Sequence, residues 1–268
     1  FIMIREGTAA RNLEALVPLL TPQYAERCMF CTDDKHPSDL LEKGHIDYIA
    51  REAINKYGVD PIIAVKAACH HASRYFLLNN RGAIAPGYLA DFAVIDNFKD
   101  FNVEMVFKKG VLYWNNGELR DFDAPQIEEY LDKRAHDTFH VATLTPDDFR
   151  DTRQRGVLGM VPGEIITTDN GYVDHVDLEK DILKIAVVER HKGTHHIGLG
   201  YIQGYGLRSG AVATSISHDS HNIIVVGANS ADMAFAANYI VEHHGGIVVV
   251  ENGVVKGSVV LEIAGIMS

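Results

Sequence analysis

The sequence predicts an α/β protein that opens with parallel β/α units and continues as antiparallel β structure with few helices. Three observations carry this. Over residues 1–75, strand-length apolar runs alternate with amphipathic helix-length stretches, the pattern of parallel β/α units. Over residues 76–121, short β runs are joined through Lys109-Gly110 and turned at Asn116-Gly117, the pattern of a small antiparallel sheet. From residue 122 a polar connector leads into β-rich runs around one strong helix, an α+β domain. The expected divisions are therefore 1–75, 76–121 and 122–268.

Residues 1–4 are expected as a strand that ends in Arg5, Glu6 and Gly7, and residues 8–20 as mainly helical. A second strand is expected over 24–31. Ile46, Ile49, Ala50, Ala53, Ile54 and Tyr57 share one stripe, which predicts a helix over 39–57 closed by Gly58. Asp60-Pro61 caps and starts a further helix to about residue 69. Residues 81–87 are rich in turn formers and lead into strands at 91–95, 103–107 and 111–114. The connector at 122–151 holds a helix around 126–134. Strands follow at 182–188, 211–216 and 223–226, while the glycine-rich tract 198–210 is expected as turns. Ser230 is expected to cap a helix with Met233, Ala236, Ala237, Ile240 and Val241 on one face, stopped by Gly245-Gly246. A hairpin of 247–250 and 254–263, turned by Asn252-Gly253, closes the chain.

At 268 residues the chain is long enough to bury a substantial core, and its 47% hydrophobic and 23% charged content is that of an ordinary globular protein. No run approaches the length needed to cross a bilayer. The net charge of −11 argues against a nucleic-acid partner, which calls for a basic stripe. Three cysteines, Cys28, Cys31 and Cys69, make no disulfide framework and fit a reducing cytoplasm. Cys28 and Cys31 lie on opposite faces of an extended strand, which suits neither a shared metal nor a redox pair. The first strand arrives without a Met start and the last is followed at once by the end of the chain, so both termini are expected to be cuts.

The densest chemistry lies in Cys31-Thr32-Asp33-Asp34-Lys35-His36-Pro37-Ser38-Asp39. An apolar run ends in two adjacent carboxylates, and the C-terminal end of a strand is where parallel barrels place their active sites. Two unpaired carboxylates repel and raise a pKa, a cost that a divalent cation removes; capping of the following turn and helix is the other reading of the same residues. Arg5 and Glu6, at the previous strand's end, form either a local ion pair or contacts to a polar ligand. A second cluster, His218-Asp219-Ser220-His221-Asn222, offers imidazoles for metal ligation or acid–base work, against the plain reading of a solvated connection. A nucleophilic triad of Ser220 with His218 and Asp219 is poor, because sequence neighbours seldom converge into that geometry. The pairs His70-His71, His195-His196 and His243-His244 carry weaker signals, the last explained by a helix C-terminus.

The strings Met3-Ile4-Arg5-Glu6-Gly7, Cys31-Thr32-Asp33-Asp34-Lys35-His36-Pro37 and Gly44-His45-Ile46-Asp47-Tyr48 resemble the bacterial adenine deaminases of the amidohydrolase superfamily. Arg81 through Asp91 is similar to that superfamily's passage from barrel to small β-sandwich, and Ser217 through Asn222 to the C-terminal domain peculiar to adenine deaminases. The resemblance implies the last β/α units of a (β/α)8 metal-dependent hydrolase barrel, a sandwich portion and an α+β C-terminal domain. It implies one or two divalent metals, manganese or iron with zinc as a further option, and a cytoplasmic homo-oligomer that takes adenine as a small-molecule substrate. By this resemblance Asp33 is metal ligand and proton shuttle: metal-bound hydroxide attacks C6 of adenine, and Asp33 passes the proton to the departing ammonia. Arg5, Glu6, Asp34, His218, Asp219 and His221 are then the candidate substrate contacts.

The family pattern also requires a His-x-His, a metal-bridging acid and further barrel histidines, none of which can be placed here. The chain is therefore expected to be the C-terminal part of an enzyme, unable to assemble the metal site alone. Another amidohydrolase acting on a cyclic amide, an amino-sugar deacetylase, or a non-catalytic binding or oligomerisation fragment are the competing readings.

Overall fold

A computed structural model describes residues 1–123 and 125–268. The chain divides into two compact units, residues 1–124 and 125–268.

In the first unit, β1 (Ile2–Arg5) pairs in parallel with β2 (Cys28–Cys31), placing Arg5 opposite Cys31. Ile4, Cys28 and Phe30 pack against Ile49, Ala50 and Ala53 of α3 (Ile46–Asn55), together with Ala64 and Ala67. Between the strands, residues 8–12 are not helical as expected. Asn12 Oδ1 accepts from the Arg5 amide at 2.7 Å and holds this stretch as a loop, so α1 is only Leu13–Leu16, followed by a 3-10 turn over Val17–Leu19. The second strand also starts later than expected. Thr21 O accepts from the amides of Tyr24 and Ala25, a 3-10 turn covers Ala25–Arg27, and extended backbone begins at Cys28.

The helix expected over 39–57 is two, α2 (Pro37–Lys43) and α3, parted at Gly44 and His45. Gly44 takes φ +98°, and the His45 amide donates to Asp47 Oδ1 at 2.7 Å. The apolar stripe begins only at Ile46, and α2 buries no residue, so nothing in the packing joins the two. Asp60 does cap the next helix, accepting from the amides of Ile62 and Ile63. That helix passes the expected end: α4 (Pro61–Val65) runs through a π turn at Lys66–His70 into α5 (His71–Tyr75), with no Gly or Pro to stop it. An antiparallel sheet follows: β3 (Phe92–Ile95), β4 (Val103–Lys108), β5 (Val111–Asn115) and β6 (Glu118–Leu119), in that order.

The second unit starts with α6 (Glu129–His136) and is dominated by an eight-stranded sheet. Its strands are β7 (Arg155–Met160), β8 (Thr167–Val173), β9 (Ile182–Val188), β10 (Ile197–Gln203), β11 (Ala211–Thr214), β12 (Ile223–Gly227), β13 (Gly246–Glu251) and β14 (Val254–Val260). The order is β14-β13-β11-β12-β9-β10-β7-β8, antiparallel except for β10 against β7. Helix α7 (Ser230–Glu242) lies on one face, where Met233, Ala236, Ala237 and Ile240 meet Ala211, Ala213, Ile223, Val225, Val248 and Val250.

Three expectations are corrected here. Part of the glycine-rich tract is an interior strand, β10, because β9 and β7 satisfy its backbone on both edges and Tyr201 and Ile202 supply buried side chains. The cap of α7 is Asn229, whose Oδ1 accepts from the Asp232 amide at 2.8 Å; Ser230 Oγ donates instead to Phe149 O. His243 and His244 lie just past the helix rather than in its last turn, with His244 at φ +56°.

Candidate functional site

At the C-terminal ends of β1 and β2 the backbone aligns two loops, and the Glu6 amide extends the pairing by donating to Cys31 O at 3.2 Å. Asp33 leaves the strand at φ +58°, a left-handed conformation that aspartate tolerates better than most residues. Its Oδ2 accepts from Arg5 Nη1 at 2.6 Å, with the two side chains 37% and 33% exposed. Arg5 Nε is buried and has no acceptor among the described residues, which leaves a donor unspent beside that carboxylate.

Asp34 has a different task. Its two oxygens accept from the amides of Ala9 at 3.0 Å and Ala10 at 3.1 Å, binding the loop after β1 to the loop after β2. Burial pushes its carboxyl up, and these amides outweigh burial and hold it below the usual range. The close approach requires Gly7, since a Cβ there overlaps Asp34 Oδ1 and stands 2.7 Å from Thr32 O. Thr8 completes the lacing, its hydroxyl donating to Asp39 Oδ2 and accepting from the His36 amide at 2.9 Å. The Lys43 ammonium, then the Thr8 hydroxyl, draw the Asp39 carboxyl down to about 2. The helix break at Gly44 turns His45 back towards this rim, where its Nε2 lies 3.4 Å from Thr32 Oγ1.

Glu6 does not join Asp33. It faces a cavity of about 400 Å³ lined with Arg11, Asn12, Lys56 and Tyr57, and its carboxyl is raised by burial against the opposing pull of Arg11, whose Nε is 3.9 Å away. Among the described residues no group of three or more His, Cys, Asp or Glu is gathered as a metal centre. A divalent ion takes four or more ligands, waters included, of which the Asp33 carboxylate supplies at most two.

In the second unit the loop after β11 carries the histidine cluster. His218 Nδ1 pairs with the Asp219 carboxylate, and the His221 ring meets the His218 ring edge-on with centroids 5.4 Å apart. His221 is held at φ +51°, and its Nδ1 is buried without a partner among the described residues. The side chains of His218 and Asp219 are 69% and 91% exposed. His71, from one of the discounted pairs, is buried. Its ring bonds through Nδ1 to the carbonyl of Cys28, at the end of β2 away from Asp33.

Sequence reasoning missed Gly7 and Thr8 as the parts that fix the rim, and His45 as a neighbour of it. The Arg-Glu-Gly string was visible, but the carboxylate that Gly7 accommodates is distant in sequence. Arg190, buried behind the histidine loop, carried no sequence signal.

Matches to known proteins fall in both units. Residues 5–113 match the amidohydrolase family, and residues 163–268 match the adenine deaminase C-terminal domain. The adenine deaminase of Kosmotoga olearia is 41% identical over 285 residues, covering 100% of this chain and 47% of its own. Those of Petrotoga mobilis and Dehalococcoides mccartyi are 40% and 39% identical, again over 100% of this chain and 48% of theirs. The chain thus spans about half the length of the curated relatives it matches. Among solved structures, a β-aspartyl dipeptidase from Fervidobacterium islandicum AW-1 aligns at a TM-score of 0.38 and 22% identity over 46% of this chain and 33% of that one, too slight a likeness to bear on fold or function. Over residues 5–113 the chain is thus similar to the amidohydrolase superfamily. Within it, the chain groups with the bacterial adenine deaminases, over their C-terminal part.

Proposed function

We propose that the protein carrying these residues hydrolyses adenine to hypoxanthine and ammonia. In this reading β1 and β2 are the last strands of a (β/α)8 barrel, β3 to β6 the sandwich portion, and residues 122–268 the deaminase-type C-terminal domain. The observation that carries it is that identity near 40% to adenine deaminases extends over 100% of the chain, taking in both the acid-bearing strand end and the histidine loop.

Water adds to C6, the C6–N bond breaks, and ammonia leaves. Asp33 is assigned the proton, which its carboxylate takes from the attacking water and delivers to the amino nitrogen. Arg5, bonded to that carboxylate, orients it, and its unspent Nε is a donor for a ring nitrogen or the forming carbonyl. Glu6 and Asp34 are the other proposed purine contacts of this unit. His218, Asp219 and His221 are those of the second. Amidohydrolases generally depend on a divalent metal, which lowers the pKa of bound water. Asp33 is the ligand this chain offers, manganese or iron the proposed ion, and the other ligands must come from polypeptide beyond these residues.

Ammonia release is the measurement. The full-length gene product is expected to deaminate adenine in preference to other purines and cyclic amides, and Asp33→Asn to lower kcat by about 10²–10⁴-fold. The 268-residue chain alone is expected to show no turnover above background. Near-normal kcat in Asp33→Asn removes the assigned role, and a preference for cyclic amides replaces the deaminase reading with that of another amidohydrolase.

A further inference from the structure

We propose that Arg190 is the positioning residue that presents His218 and His221. It follows β9 and is 2% exposed, yet every hydrogen-bond partner of its guanidinium is a neutral oxygen. Nε donates to the carbonyl of His221, Nη1 to Thr138 O at 2.8 Å and Thr138 Oγ1 at 3.0 Å, and Nη2 to Ala264 O at 2.9 Å. The guanidinium carbon also stands 4.2 Å from the centre of the Phe139 ring. A buried cation without a carboxylate is costly, and satisfying its N–H groups with backbone carbonyls makes the position of each carbonyl matter. Three segments distant in sequence, at Thr138, His221 and Ala264, are thereby fixed to one planar group.

The histidine loop receives two further ties from the same stretch. The Arg190 amide donates to Asn222 Oδ1 at 3.3 Å, and His191 Nε2 donates to Ser220 O at 2.8 Å. The loop is thus held from behind through the carbonyls of Ser220 and His221 and the Asn222 side chain. Its imidazoles remain free of that scaffold, with His221 Nδ1 unpartnered and His218 largely exposed. That division, a loop clamped from one side with imidazoles that take no part in the clamp, is the arrangement of a presented site. Its importance for catalysis rests on the deaminase reading above; the clamp itself does not.

Histidine imidazole NMR signals of the 268-residue chain test this, with His218 and His221 assigned from His218→Gln and His221→Gln variants. Arg190→Lys keeps the cation but loses the planar fork. It is expected to shift both the His218 and His221 signals while those of His175 and His243 stay in place. Should Arg190→Lys not fold, Phe139→Leu, which removes the ring beneath the guanidinium, is expected to shift the His221 signal. Unmoved His218 and His221 signals in a folded Arg190→Lys chain, or an unmoved His221 signal in Phe139→Leu, overturn the positioning role. Adenine titrated into the wild-type chain is read separately. Adenine that moves neither imidazole, alongside shifts in Arg190→Lys, counts against the purine contact and upholds the clamp.

Discussion

Gly7 owes its place to a carboxylate on the neighbouring loop. Its backbone is not left-handed, so no turn demands a glycine there; the demand is that Asp34 approach to where a Cβ would stand. Asp34 cannot withdraw without giving up the amides of Ala9 and Ala10, and Thr32 O blocks the other side. Gly7→Ala is therefore expected to destabilise the chain by about 1–3 kcal/mol. Urea unfolding measures this, and a midpoint equal to wild type contradicts the close-approach argument. The residue scale also shows why Asp33 stands out in the sequence and Gly7 does not. Asp33 is marked by local grammar, an apolar run ending in acids. Gly7 and Arg190 are marked only by what meets them in space, which a sequence pattern does not record.

Among the elements, α5 is latched to β2 by one buried histidine. His71 Nδ1 donates to Cys28 O at 2.9 Å, and its Nε2 is buried without a partner among the described residues. Burial pushes the His71 pKa down, ahead of the Cys28 carbonyl's opposite pull. The unfolded chain, with a value near 6.5, then binds the proton more readily than the folded one. The latch is fully stabilising above that value, and its contribution is lost as pH falls from about 6.5 towards the lower folded value. Thermal unfolding at pH 7.5 and 5.5 is expected to show a larger fall in Tm for wild type than for His71→Gln. Equal falls would mean that His71 is not the titrating latch, the other histidines being common to both proteins. Element types were legible where local pattern and packing agree, as in α3 and the hairpin of β13 and β14. They were misread where tertiary pairing overrides composition. The glycines of β10 hid a strand whose order comes from its neighbours, and the 39–57 periodicity hid a break made by Gly44 and Asp47.

On the scale of the whole molecule, the two units differ in how much of their own core they hold. In the second, α7 closes one face of the sheet with a continuous cluster from Leu144 to Val250, and buried Asp232 fastens the helix to the closing hairpin. The Asp232 carboxylate accepts from the amides of Asn252 at 3.2 Å and Gly253 at 2.8 Å, so the turn of β13 and β14 is fixed by the start of α7. Arg190 does the same for the other end, joining Thr138 to Ala264. The first unit has instead a parallel sheet of only two strands, with Phe1, Ile2 and Met3 each at least 40% exposed. Helices pack on this sheet through Ile4, Cys28 and Phe30, but it gains no further strand among the described residues, and open strand edges invite association. Residues 125–268 expressed alone are therefore expected to unfold in one cooperative transition with dispersed amide signals, whereas residues 1–124 alone are expected to aggregate or to lack cooperative unfolding. Circular dichroism melts and light scattering on the two pieces decide it. A cooperative, monomeric first unit would show that β1 and β2 need no further strands, and would remove a structural support for assigning them to the end of a barrel.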